Sequence, residues 1–228
     1  PKGDVARQLL APAPRSSGKS AASQPDQVLQ ADLIDFSQNA TSASGARYAL
    51  LLTDVYTREL AAELLLTKNP AEVNVALQRA LSTLIGGSGN RNYIISTDNG
   101  GEFSQIESVL PQQAIHKLKE GTNDLAVVDR AMQTLKRDMA GIVARDGGKW
   151  EEELQPAVDA YNERPHDAVY GPPEDVDKGE VQDFLVLRKN ASAFMKNILN
   201  TLRRKDALED VGAFGAPVQT GWRSFNPR

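Results

Sequence analysis

The sequence predicts a mixed α/β domain, and three observations lead there. Three apolar stretches of strand length open the patterned part of the chain, over 28–36, 47–55 and 58–66. Two shorter apolar stretches, 92–97 and 113–118, alternate with segments whose apolar residues recur three and four apart, the period of a helix. The resulting order, β-β-β-α-β-α-β-α-α, is that of a sheet carrying helices.

The elements follow from local chemistry. Residues 1–27 are rich in Ala, Pro, Ser, Gln and Gly without sustained periodicity, and read as a linker or arm. VLQADLIDF (28–36) reads as the first strand. RYALLLTDV (47–55) and RELAAELLL (58–66) are separated only by Tyr56 and Thr57, which predicts an antiparallel pair. Asn69 and Pro70 open a helix over 70–86, with proline in the first turn, where its missing N–H is harmless. Its apolar stripe runs through Val73, Val75, Ala76, Ala80, Leu81 and Leu84. NYIIST (92–97) reads as a short buried strand that ends in the turn sequence DNGG. A short helix is expected near 103–109 and a strand over QAIHKL (113–118). The clearest helix spans 123–145, with Val128, Ala131, Met132, Leu135, Met139 and Ile142 on one face. Another spans 150–163 and stops before Pro165. Residues 181–205 read as a basic helix and 208–228 as irregular or short-strand structure. The expected domain is therefore 28–180, with extended segments at both ends that do not pack into it.

Composition narrows the chemistry. The 228 residues, 40% hydrophobic and 25% charged, suit a soluble chain with one buried core. No run approaches the roughly 20 apolar residues of a membrane span, so no membrane partner is expected. The absence of cysteine excludes disulfides, thiolate zinc sites and cysteine nucleophiles, and two histidines exclude a histidine-rich metal site. Thirty acidic residues dominate the supply of metal ligands and suit hard ions such as Mg²⁺. The net charge of −4 is unevenly spread: residues 29–182 carry 14 basic and 24 acidic side chains, while both ends are basic. That is not the usual footprint of a nucleic-acid binder, although the ends or an absent segment could supply phosphate contacts. The chain begins at Pro1 and is expected to be a piece of a longer polypeptide.

Three acids stand where segments could converge. Asp32 lies inside an apolar strand between Ala31 and Leu33, where a carboxylate is costly unless solvated in a cleft, paired or holding a metal. Asp98 follows NYIIST at the carboxyl end of its strand, the end at which open α/β sheets bind ligands. Asp129 sits beside the apolar face of the 123–145 helix. Taken singly, each has an ordinary reading as a turn residue or rim acid.

Taken together, the runs Gln30-Ala-Asp-Leu-Ile-Asp, Ser96-Thr-Asp-Asn-Gly-Gly-Glu-Phe and Ala126-Val-Val-Asp-Arg-Ala-Met-Gln-Thr-Leu-Lys resemble the integrase catalytic core. The resemblance is to the integrases of long-terminal-repeat retrotransposons and Polinton-type elements. Their patterns are W-Q-x-D-L, T-D-N-G-x-E-F and V-E-R-x-x-x-T-L-K. Trp150-Glu-Glu-Glu-Leu, Tyr161, Asn162, His166 and Pro173 resemble the downstream blocks, so the likeness covers 28–178. It implies a ribonuclease H-like fold, a five-stranded mixed sheet flanked by helices. It also implies that Asp32, Asp98 and Asp129 are catalytic and hold Mg²⁺ or Mn²⁺, with Asp32 shared by two ions. Lys136 and Arg130 are implied to contact DNA. For Lys136 a solvated helix lysine is the other reading. Asn162 and His166 are expected to tie the late helix to the loop after it, and Asp35 to face solvent or support the site.

The sequence departs from the family's pattern at several points. Asp129 stands where the family has Glu, Leu29 stands for its Trp, and 30 residues separate Asp98 from Asp129 rather than the usual number near 35. The family's upstream zinc-binding domain is absent from this chain. Two functions follow. One is a Mg²⁺-dependent DNA integrase or transposase core performing 3′-end processing and strand transfer. The other is a catalytically impaired integrase fold serving as a structural or interaction subunit. Ribonuclease H itself fits less well, because the T-D-N-G block points away from it. DNA is the expected partner of an active core, with protein assembly partners through the termini and an oligomer as in the family. An intracellular location is expected, nuclear if the chain is an active eukaryotic integrase.

Overall fold

Val28–Asp35 forms the central strand, β1, because its alternate residues meet apolar layers on both faces. Leu29 and Ala31 face one layer and Ile34 the other, all fully buried. The computed structural model describes residues 19–38, 44–86, 92–120, 124–146 and 149–213. The expected antiparallel pair is present as β2 (Tyr48–Asp54) and β3 (Leu60–Leu65). β2 lies antiparallel to β1, with Asp32 opposite Leu51. Two further strands, β4 (Ile94–Thr97) and β5 (Ile115–Leu118), run parallel to β1. The sheet order is β3-β2-β1-β4-β5.

Helix α1 (Pro70–Ile85) covers one face. Asn69 caps it, its side chain accepting from the Ala71 amide at 3.0 Å, and Gly86 closes it in the left-handed region at φ 65°. Val73, Leu77, Ala80 and Leu81 pack on Leu50, Leu52 and Ile95. The other face carries α2 (Ala126–Asp146) and α3 (Trp150–Glu163). There Val128, Ala131, Leu135 and Met139 pack with Leu51, Leu154 and Val158. Trp150 stacks on Phe36 with ring centroids 4.0 Å apart, so this tryptophan closes the core next to the end of β1. Each fully buried leucine or valine here contributes about 1.5–3 kcal/mol. The segment expected as one short helix near 103–109 is instead two 3₁₀ turns, Gly101–Phe103 and Ile106–Ser108, anchored by buried Phe103 and Ile106.

The compact unit runs from Ser17 to Phe194, wider than the expected 28–180. Ala22 is fully buried and its amide donates to Asn190 Oδ1 at 3.2 Å. The Tyr56 hydroxyl donates to the Asp183 carboxylate at 2.7 Å, and Val186 is buried beside Tyr56. A single small residue docked into a core has no periodicity, so composition alone reads its segment as an arm. Helix α4 (Glu180–Ala213) carries helix through 208–213, where irregular structure is expected. Within α4, the residues from Met195 onward fall in a second unit, and the expected arm over 1–18 and the segment 214–228 lie outside the described residues. Among the described residues no helix is long and apolar enough to cross a membrane.

Candidate active site

The β1–β4 register places Asp32 and Asp98 together. Val28 pairs with Ile94, Leu29 with Ile95 and Gln30 with Ser96. Continuing that register two residues sets Asp98 level with Asp32. Residues two apart on a strand share a face, so both carboxylates share the face of Gln30, Ser96 and Ile34, the one covered by α2. Asp98 lies one residue past β4, where the chain turns back on itself. The Gly100 amide donates to Asp98 Oδ1 at 3.0 Å. A Cβ at Gly100 would stand 2.6 Å from Glu102 Cδ and 2.9 Å from Asp98 Oδ1, so a larger residue there would push both carboxylates aside.

Asp129 reaches the same region from the first turn of α2. Gln30 fixes that helix. Its Oε1 accepts from the amides of Val127 at 3.0 Å and Val128 at 3.1 Å, satisfying two N–H groups that a helix start leaves without partners. Its Nε2 donates to the Asp124 carbonyl at 2.7 Å and to the Ser20 hydroxyl at 2.9 Å. Gln30 is 1% exposed, so one buried amide joins the strand of Asp32 to the helix of Asp129.

The electrostatics record the convergence. Asp32 is pushed up to about 6, first by burial and then by the charges of Asp98 and Asp129, against the lowering effects of the Leu33 amide and Lys119. Asp32 Oδ1 accepts from Leu33 N at 2.7 Å, while its second oxygen makes no hydrogen bond among the described residues. Asp98 likewise commits one oxygen, to Gly100. Three carboxylates with uncommitted oxygens, one of them raised first by burial and then by its neighbours' charge, make an all-oxygen donor set suited to a hard divalent cation. As placed, no group of three His, Cys, Asp or Glu side chains among the described residues stands close enough to hold a metal ion.

The other expected residues divide. Lys136 is exposed two turns beyond Asp129 on the same flank of α2. Arg130 lies on the other flank and lines a separate cavity with Arg58 and Tyr161. Asp35 is exposed, pairs with Lys68 at 3.4 Å and is held below the usual carboxylate range by Ser37 and then Lys68. Asn162 and His166 are structural ties: Asn162 bonds to Leu60, and His166 Nε2 lies 2.8 Å from the Tyr161 carbonyl.

Sequence reasoning passes over Lys119. Ser96 pairs with Lys117 and Thr97 with Leu118, and the Lys119 amide donates to the Thr97 carbonyl at 2.9 Å. The same continuation puts Lys119 level with Asp98, so Asp32, Asp98 and Lys119 form one row across β1 and the ends of β4 and β5. The signal would have been the alternation of Lys117 and Lys119, readable only once the register is known.

No protein-family model and no curated protein matches the sequence. Solved structures match by shape. A cryo-EM structure of the simian T-cell lymphotropic virus intasome in complex with PP2A regulatory subunit B56 gamma matches at TM-score 0.58 and 16% identity, over 73% of this chain and 61% of that one. The HTLV-2 integrase catalytic core domain, in complex with magnesium in a trimeric form, matches at TM-score 0.51 and 15% identity, over 67% of this chain and 96% of that one. The catalytic core domain of BIV integrase matches at TM-score 0.51 and 16% identity, over 70% and 99%. The fold is the ribonuclease H-like one of integrase cores: a five-stranded mixed sheet flanked by helices.

Proposed function

We propose that the chain is the catalytic core of a DNA integrase or transposase, carrying out 3′-end processing and strand transfer. The observation that carries this reading is that Asp32 within β1, Asp98 just past the adjacent β4 and Asp129 on α2 lie on one side of the sheet, near enough for the charges of Asp98 and Asp129 to act on Asp32. In processing, a water oxygen bonds to a DNA phosphorus and the bond to the departing 3′-oxygen breaks. In strand transfer, the freed 3′-hydroxyl bonds to a phosphorus of the target, whose own 3′-oxygen leaves. The chain's part is positional. Asp32, Asp98 and Asp129 would hold Mg²⁺, or Mn²⁺, with Asp32 between the other two. Bound there, two such ions supply an activated oxygen nucleophile and stabilise the leaving oxygen. Gln30 keeps α2 at a fixed distance from β1. Lys119 and Lys136 flank the acids with positive charge and would hold the phosphodiester backbone. As in the trimeric HTLV-2 core, self-association is part of the proposal, supported by Val181 and Phe184 of α4, which are 75% and 59% exposed.

The test is strand transfer on a short DNA duplex in Mg²⁺ or Mn²⁺. Asp32→Asn should abolish it while the thermal unfolding transition survives. Activity equal in the parent, Asp32→Asn and Asp98→Asn would sink the proposal. One observation favours the second reading, an integrase fold retained as a structural or interaction subunit: the acids are not gathered to ligating distance as placed. Asp129 contributes, being one methylene shorter than the family's Glu. Parent protein that neither binds Mg²⁺ in calorimetry nor joins DNA would support that reading.

A further inference from the structure

We infer that the cavity bounded by the β2–β3 turn, the outer flank of α2 and the segment after α3 is an anion site built to take a phosphate group. It stands apart from the carboxylates. Val127, Arg130 and Thr134 recur at helical spacing on the flank of α2 turned away from Asp129 and Lys136. The cavity holds about 560 Å³, the size of a small-ligand site. Its charged lining is Lys19, Arg58, Arg130 and Lys189 against a single carboxylate, Asp167, with His166 beside them. Arg58 and Arg130 come from the acidic stretch 29–182 and Lys19 and Lys189 from the basic ends, so the cavity gathers cations from four separate segments.

Arg58 is the independent observation. The expected strand 58–66 begins two residues later, at Leu60, because Arg58 occupies the turn at φ 68°. The turn is closed without the Arg58 side chain: Arg58 N donates to the Asp54 carbonyl at 2.9 Å, Asp54 N to the Glu59 carbonyl at 3.0 Å, Tyr56 N to Asp54 Oδ1 at 2.7 Å and Glu59 N to Thr57 Oγ1 at 3.1 Å. A left-handed position favours glycine or asparagine, so nothing in the backbone calls for arginine. The side chain as a whole is half-buried, but its Nε is shut away from solvent with no hydrogen-bond partner. Among the described residues no carboxylate lies within ion-pair reach of it. A buried guanidinium N–H without an acceptor is unfavourable, and an anion in the cavity that Arg58 lines would draw the guanidinium round to a partner.

The rest of the lining suits the same ligand. Lys189 Nζ is held by the Asp167 and Ala168 carbonyls at 3.0 and 2.8 Å and lies over the Tyr170 ring, fixing its charge at the wall. Burial lowers the pKa of Arg58 and of Lys189; Arg130 adds to it at Arg58 against the raising effects of Tyr161 and Asp54, and Arg58 and Lys19 add to it at Lys189 against that of Asp167. A phosphate, carrying one negative charge in a phosphodiester and close to two as a terminal group at neutral pH, would relieve the repulsion among these cations. The phosphate could belong to a DNA backbone or to a free polyphosphate, and the chemistry of recognition is shared.

The test uses the whole chain at constant ionic strength, with tripolyphosphate as probe in calorimetry and thermal unfolding. Tripolyphosphate should bind and raise the Tm. Arg58→Asn and Lys189→Gln should each weaken binding by about tenfold or more, the factor for one charge-assisted hydrogen bond. Asparagine tolerates the left-handed turn, so Arg58→Asn should also raise the Tm without anion, by removing the unpaired buried group. Displacement of tripolyphosphate by a short DNA duplex would assign the site to backbone phosphate, and failure of DNA to compete would assign it to a free polyphosphate. Equal affinity in the parent and both variants, or an equal Tm rise from chloride, would overturn the inference. Neither readout depends on strand transfer.

Discussion

Asn162, at the end of α3, holds both backbone polar groups of Leu60. Its Oδ1 accepts from Leu60 N and its Nδ2 donates to Leu60 O, each at 2.9 Å. One side chain thus pins the start of β3 to a helix and steadies the turn that contains Arg58. Asn162→Ala should cost about 2–3 kcal/mol, since it leaves a partly buried donor and acceptor unmade. For a unit of this size that lowers the Tm by roughly 5–10 °C. Asn162→Asp keeps the acceptor and loses the donor, and should fall between the two in thermal unfolding.

Gln30→Leu should loosen the helix of Asp129 more than it loosens the sheet. Leucine fills similar volume but accepts nothing from Val127 N and Val128 N. Stability should drop by about 2–4 kcal/mol. Native-state amide exchange should quicken at those two amides, with β1 and β2 much less affected. Uniform quickening across the unit would show that Gln30 acts on global stability alone.

Asp32→Asn should stabilise the metal-free protein at alkaline pH. The carboxyl is raised from 3.8 to about 6, so the folded state holds its proton more tightly than the unfolded one. The associated stability is complete below about pH 4 and is lost as pH rises through about 6. Asparagine never ionises, so the variant should match the parent at pH 4 and exceed it at pH 8. After discounting for solvent screening the gain is about 1–2 kcal/mol. Adding Mg²⁺ at pH 8 should raise the Tm of the parent and leave that of the variant unchanged.

Asp129→Glu separates an adapted site from a decayed one. If the site has adapted to the shorter acid, the added methylene displaces the carboxylate and strand transfer falls. If the acid has merely shortened from the family's Glu, the same change restores reach, and activity should rise by about tenfold or more, as for one regained ligand. Strand-transfer rates of the two proteins at saturating Mg²⁺ decide between them.

The sequence by itself determined the sheet-and-helix order, the core faces of β1 and α2, the tight turn after Asp98 and the three acids worth watching. Those features are local: the two- and 3.6-residue periods of Leu29, Ala31, Val128 and Leu135, and the turn chemistry of Asp98 and Gly100, are written within a few residues of each position. Tertiary structure alone decided that Asp32, Asp98 and Lys119 stand in one row, because parallel register depends on pairing between residues some 66 apart in the chain. It alone decided that Arg58 leaves the strand for a turn and faces Arg130, and that Ala22 and Asp183 belong to the compact unit. A charge's partners and a small residue's burial are set by whichever distant segment packs against them, and no local pattern encodes that meeting.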